Sequence, residues 1–240
     1  MNLFLLGCFL VLAHTAETIL GFGATLIALA LGIYLFPLTT LVPILVILGL
    51  LQNIWLVARW FRYIEWRILW RDILPMSGAG MIIGILSREL ASESQLRMVL
   101  GAFIVVVSAM ELVYLFIKSA DRSELRWYYR IPLLFAGGIF HGLFATGGPL
   151  IVYYASRQLK TQETFRATLS TLWLILNTAL LIGFSVSRQV DLSTLKMTTL
   201  VLPGLIIGII LGNFIRVREL LFKVMTYALL FFSGLFLLIQ

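Results

Sequence analysis

Residues 138–154 read GIFHGLFATGGPLIVYY and lie inside an apolar run that spans 131–156. A helical crossing of a bilayer takes about 20 apolar residues. This run is long enough for one, yet it contains His141, Thr146, the pair Gly147-Gly148 and Pro149. A proline directly after two glycines marks a helix start, with Pro149 at the first helical position and Thr146 or Gly148 as the cap. The stretch therefore reads as two arms joined at a break. Residues 131–143 enter the membrane, the glycines turn the chain, and 149–156 return.

The whole chain supports a membrane setting. Of its 240 residues, 61% are hydrophobic, and the mean hydropathy is +1.03. Soluble domains are about 45–50% apolar. Apolar segments occupy 3–20, 24–36, 41–58, 73–87, 98–117, 131–156, 167–187, 197–215 and 220–239. Backbone exposed to lipid must bond to itself, which leaves helices or a closed barrel, and unbroken runs of this length indicate helices. The fold class is an all-α polytopic membrane protein. The net charge of +7 would suggest nucleic acid in a soluble protein. Here the basic residues sit in short loops, where they set topology, so no nucleic-acid partner is expected. Cys8 is the one cysteine and lies in an apolar run, which excludes an intrachain disulfide and a cysteine-based metal site. No Lys or Arg occurs in the first 58 residues, so no signal peptide with a positive n-region is read.

Charge decides how 131–156 is threaded. Basic residues cluster in 59–71, 118–130, 157–166 and 216–223, with only Arg88, Arg97, Arg188 and Lys196 in the other two loops. If 131–156 crosses once, the two sides carry 10 and 8 positive residues. If it enters and returns on one side, the split becomes 14 against 4. Cytoplasmic loops are enriched in Lys and Arg, so the sequence predicts a re-entrant hairpin.

The two halves echo each other. LPMSGAGMIIGILS starts at Leu74 and LPGLIIGIILGN at Leu202, so that Pro75, Gly80 and Gly84 match Pro203, Gly208 and Gly212 at an offset of 128. His14 precedes one glycine-rich break and His141 the other, 127 residues later. The expected plan is two repeats, 1–118 and 119–240, each a broken re-entrant hairpin plus three transmembrane helices. An odd number of crossings inverts one repeat relative to the other. Small residues four apart let helices approach closely, so Gly80, Gly84, Gly204, Gly208 and Gly212 read as packing positions.

Inverted repeats with discontinuous helices favour a substrate site near the bilayer midplane. The N-terminus of a half-helix offers free N–H groups and a partial positive charge, which suits an anion. The expected substrate-binding residues are Gly21, Gly23 and Thr25 at the first break, and Thr146, Gly147 and Gly148 with His141 at the second. Asn53 and Asn177 add neutral donors from repeat-related segments. Arg166 begins its crossing and acts as an anion-binding fork or as a topology anchor. His14 and Glu17 are three apart on one helical face. They read as a proton-coupling pair or as a mutual polar bond. Glu111 reads as a structural partner of Lys118 or as an interfacial residue, and the aromatic stretch from Trp55 to Trp70 as an interfacial belt.

The stretches GFGATLIAL (21–29) and GLFATGGPLIVYY (142–154), with FRATLSTLWLILN (165–177) after the second, resemble the sulfite exporter TauE/SafE family. The resemblance covers nearly the whole chain. It implies a multi-pass inner-membrane transporter for sulfite, thiosulfate or an organosulfonate such as sulfoacetate. The family's glycine signature falls on Gly21, Gly23, Gly147, Gly148 and Pro149, and its Arg-Ala-Thr run on Arg166, Ala167 and Thr168. The chain departs from a glycine-richer pattern where Ala24 and Thr25 follow Gly23.

The expected function is secondary transport of a small sulfur-containing anion by alternating access. The partners are that anion and the lipid bilayer, and the chain is free to form a homodimer. No cofactor or metal is expected, and without a P-loop direct use of ATP is not. The alternatives are a passive anion channel and an intramembrane enzyme. The second has no HExxH or GxSxG motif to support it. The topology predicts a labelling pattern for single cysteines placed at Ser92, Ser156 and Thr161 in a Cys8→Ser background. In intact cells an impermeant thiol reagent should reach only the one at Ser92. Labelling at Thr161 from outside would contradict the re-entrant hairpin.

Overall fold

The computed structural model describes residues 1–20, 22–116, 127–215 and 219–239. Gly21, Lys118, Arg122, Arg126, Arg216 and Arg218 lie outside the described residues. Those described form helices and short connections, with no strand among them. In chain order the helices are α1 (Asn2–Leu20), α2 (Ala24–Gly32), α3 (Leu38–Trp60), α4 (Trp66–Ile68), α5 (Leu74–Leu90), α6 (Glu93–Phe116), α7 (Trp127–Phe144), α8 (Gly148–Gln158), α9 (Gln162–Val186), α10 (Leu192–Phe214) and α11 (Glu219–Ile239). A π-helical turn, Leu69–Ile73, joins α4 to α5 without a break.

Among the described residues, seven helical segments are long and apolar enough to cross a membrane. Six correspond to the crossings expected from the sequence. The seventh is α1, which the sequence assigns to a re-entrant hairpin but which at 19 residues is long enough to cross. The nine residues of α2 and the eleven of α8 fall short. Helix α7 starts at Trp127, four residues before its apolar run, because the aromatic and basic turn Trp127–Arg130 is itself helical. Both expected hairpins are present as packed pairs, α1 with α2 and α7 with α8.

The chain forms two compact units, each drawing on both halves of the sequence. The first comprises Met1–Leu41, Ala91–Asp121 and Thr199–Gln240, and the second Val42–Leu90 and Arg122–Thr198. In the second unit α5 lies along α7 through glycines. A Cβ at Gly80 would collide with the Phe135 carbonyl, one at Gly84 with the Ile139 carbonyl, and one at Gly142 with the Met81 carbonyl. Residue numbers rise together along this contact, so the two helices run parallel.

The first unit repeats the device. Gly204 faces Gly7 and Leu10, Gly208 faces Val11 and His14, and Gly212 faces Thr15 and Thr18. Thr15 adds a hydroxyl bond to the Gly208 carbonyl at 3.2 Å. The glycines spaced by four are thus packing positions, as their spacing predicts. In the same unit α6 and α11 pack antiparallel, with Gly101 against the Gly234 carbonyl. Glu111 takes a bond from the Tyr227 hydroxyl and lies near Lys223. Its expected partner Lys118 is outside the described residues.

Substitution should separate contact glycines from free ones. Gly80→Ala drives a methyl into backbone and should cost at least the ~1–3 kcal/mol typical of overpacking. Gly78→Ala, with nothing within 4 Å of the new methyl, should be neutral or slightly stabilising, because Ala is the better helix former. Melting temperatures of the two variants in one detergent check the contrast.

Candidate functional site

The second hairpin places a helix start inside the second unit. Helix α7 ends at Phe144, and the Ala145 N–H donates to the His141 carbonyl at 2.7 Å. Ala145 then takes φ of 56°, left-handed backbone on a residue with a Cβ. Such conformations cost energy and gather at functional sites. Helix α8 follows with Gly147 as its N-cap, which offers no side-chain bond to the first turn, and with proline in that turn. The Ile151 N–H reaches the Gly147 carbonyl. The N–H groups of Gly148 and Leu150 belong to the orphan set at the start of any helix.

The two glycines have different roles. A Cβ at Gly147 would strike the Gly137 carbonyl, and one at Gly137 would sit 2.7 Å from Ile151 Cγ1. Gly147 therefore closes the hairpin. Gly148 does not: a Cβ there meets only Trp173 Cζ2, at 4.0 Å. Neither glycine has positive φ, which falls on Ala145 instead. The sequence motif marks the break correctly, but the close backbone approach it demands is between the hairpin's own arms.

Around this helix start lies a buried polar cluster. His141 is 1% exposed, and its ring stacks on Trp173 of α9 with centroids 5.2 Å apart and planes 19° apart. Asn177, one turn further along α9, lies against the imidazole. Even so, neither ring nitrogen makes a hydrogen bond of good geometry, and Asn177 Oδ1 is buried without one. From α3, Gly49 approaches Asn177 so closely that a Cβ would lie 3.3 Å from its Nδ2. Asn53 is one turn beyond Gly49 and also has a buried, unbonded Oδ1. Thr146 is buried at the break. A buried polar atom left unbonded costs roughly 1–3 kcal/mol, so several in one cluster indicate a place where a polar guest fits.

Of the expected site residues, Asn53, His141, Thr146, Gly147, Gly148, Arg166 and Asn177 fall in this unit. Arg166 is half-buried near Glu163 and shares an α9 stripe with Ser170, Trp173 and Asn177. Eleven residues of helix place it about 16 Å from Asn177 along the axis. Thr168 serves structure: its Oγ1 accepts the Glu65 N–H at 3.0 Å. Trp173 was not among the expected residues. Its place four before Asn177 on one face was the available signal.

The remaining expected residues belong to the first unit, where the break is resolved otherwise. Gly23 takes φ of 103°, so only this break uses the left-handed freedom of glycine. The Glu17 carboxylate accepts the Ala24 N–H at 3.0 Å. The chain's own carboxylate thus occupies the start of α2. His14 is buried against α10, where Gly208 leaves room for its Cβ. Thr25 lies in the first turn of α2. Among the described residues, no three His, Cys, Asp or Glu side chains gather as a metal site requires.

The sequence profile of the family described as "Sulfite exporter TauE/SafE" matches residues 5–237. The chain belongs to the sulfite exporter TauE/SafE family. It is therefore a multi-pass inner-membrane transporter. It is 23% identical to the probable sulfite/organosulfonate exporter TauE of Cupriavidus necator over 82% of this chain and 77% of that one. It is 25% identical to the probable inner membrane transporter protein TsaS of Comamonas testosteroni, over 64% of this chain and 63% of the relative. No solved structure matches it.

The two break glycines should respond differently to alanine. Gly147→Ala should lower stability by at least ~1–3 kcal/mol, because the methyl meets backbone rather than a movable side chain. Gly148→Ala should stay within about 0.5 kcal/mol of the parent, as surface-like substitutions do. Melting temperatures in a common detergent compare them.

Proposed function

We propose that the chain moves a small sulfur-containing oxyanion across the inner membrane by alternating access, holding it at the start of α8. The observation that carries this reading is one helix start with no side-chain cap, in the same unit as a buried His141 whose ring nitrogens make no hydrogen bond. A helix N-terminus favours negative charge and presents N–H donors to it. An amide or a neutral imidazole adds a donor without adding a fixed charge. The printed descriptions of the relatives point to sulfite and organosulfonates as the substrate class.

In this reading Gly148, Thr146, His141, Asn177 and Asn53 surround the anion, and Arg166 draws it into the cytoplasmic mouth. Gly21, Gly23 and Thr25 belong to the repeat-related break, where Glu17 supplies the negative charge from within the chain. A proton on Glu17 would weaken its bond to Ala24. His14 and Glu17 are accordingly the proposed place for proton coupling. The matching glycine contacts of α5 with α7 and of α10 with α1 support two repeats of one design, and the loop charges support their inverted threading.

Binding to the purified protein tests the site. A ligand that binds only the native state raises the melting temperature, so sulfite, thiosulfate, sulfoacetate, taurine and sulfate can be ranked. A charge-assisted hydrogen bond is worth roughly 1.5–3 kcal/mol, which corresponds to about 10-fold to 150-fold in Kd. Gly148→Val, which fills the space beside Trp173, should weaken binding of the preferred anion by at least tenfold while the protein still folds. Thr146→Val should lose less. Parental affinity in Gly148→Val would place the anion elsewhere.

A further inference from the structure

We infer that Arg88 is the extracytoplasmic receiving residue for the transported anion, the counterpart at the outer mouth of Arg166 at the inner one. This rests on the transport reading above. Arg88 was counted among the loop cations that set topology, but it is 9% exposed. Its guanidinium lies over the Phe184 ring, 4.7 Å from the centroid. Both residues belong to the second unit.

Position along the helices supplies the argument. Helix α5 runs parallel to α7, and Gly84 sits on Ile139 and Gly142. Arg88 is one turn beyond Gly84, so it lies about 6 Å along the helix beyond the level of His141 and Gly142. On α9, Phe184 is two turns beyond Asn177 on the same stripe, about 10 Å further out at 1.5 Å per residue. The stripe therefore carries Arg166 at its inner end, the neutral cluster of Trp173 and Asn177 in its middle, and the Arg88–Phe184 stack at its outer end.

A third residue joins the outer group. The Gln189 N–H donates to the Phe184 carbonyl at 2.8 Å, and the side-chain Oε1 of Gln189 is buried with no hydrogen bond. That end of the unit thus has a buried cation over the Phe184 ring and, tied by backbone to the same residue, a Gln189 whose Nε2 is the group able to donate to an anion. An aromatic face holds a cation by about 0.5–2 kcal/mol, and a guanidinium can keep that contact while its edge bonds an oxyanion in a fork. Cations at both mouths with a neutral middle attract the anion from either side without trapping it at the centre. Passage requires binding strong enough to enter and weak enough to leave.

The test is tracer flux of radiolabelled sulfite in proteoliposomes of defined protein orientation, with KM measured separately for anion presented on each face. In Arg88→Gln the extracytoplasmic KM should rise at least tenfold and the cytoplasmic KM change less than twofold. Arg88→Lys, which restores the charge, should recover most of the loss. A purely structural role would move both values together or lower the amount of folded protein. Equal shifts on the two faces, or parental KM on both, would overturn the inference. Phe184→Leu, read if Arg88→Gln does not fold, frees the guanidinium from its ring and should lower the extracytoplasmic KM. An unchanged or higher value would overturn the inference there. Parent protein that gives no flux from either face with sulfite, thiosulfate or sulfoacetate would instead refute the transport reading on which it rests.

Discussion

A helix that begins within a membrane leaves backbone N–H groups that no water can satisfy. Two helix starts in this chain follow glycine-rich breaks, and they are resolved differently. At the start of α2 the Glu17 carboxylate reaches across the break and accepts the Ala24 N–H. At the start of α8 the cap is Gly147, which has no side chain to offer. The first break is closed by the chain's own carboxyl group. The second has no side-chain cap, and His141 and Asn177 are buried in the same unit; in the proposed reading its donors meet the anion. The proposed transport function follows from that inequality.

Keeping the second start open requires that its surroundings stay rigid, and glycine provides this in two ways. Along α5 and α7 it removes side chains so that the helices meet backbone to backbone, fixing the helix that carries His141. Within the hairpin, Gly137 and Gly147 let the two arms fold onto each other. Farther out, the Tyr154 hydroxyl donates to Asp72 at 3.1 Å, and Arg130 lies 3.6 Å from the same carboxylate. That group ties both arms of the hairpin to the π-helical turn before α5. The break is thus held from below by a polar knot and from the side by packing.

Much of this was legible in the sequence. Gly-Gly-Pro inside an apolar run is a helix start wherever it occurs, and glycines four apart have one common use. His141, Asn53 and Asn177 were visible because a polar residue in a membrane segment must have a reason. The partners were less legible, because they depend on how the chain folds back. Glu17 looked paired with His14 by helical spacing. The structure adds a bond to its carboxylate from the Ala24 N–H, seven residues on and across a turn. Arg88 looked like a loop cation because it lies near the end of an apolar run, and only the packing of α5 on α7 and α9 shows it to be buried. Gly147 and Gly148 are neighbours of one residue type, yet one meets a carbonyl and the other open space. Trp173 was hidden by its own suitability for a membrane helix.

The most direct test of the open helix start is the amide signal of Gly148 itself. The protein labelled with 15N-glycine has 19 glycine amides, and single substitutions assign those at the two breaks. On titration with sulfite, the account predicts a saturable shift of the Gly148 N–H signal, at the same concentrations that raise the melting temperature, and little change at Gly23. Saturable stabilisation by sulfite with an unmoved Gly148 signal would contradict the account.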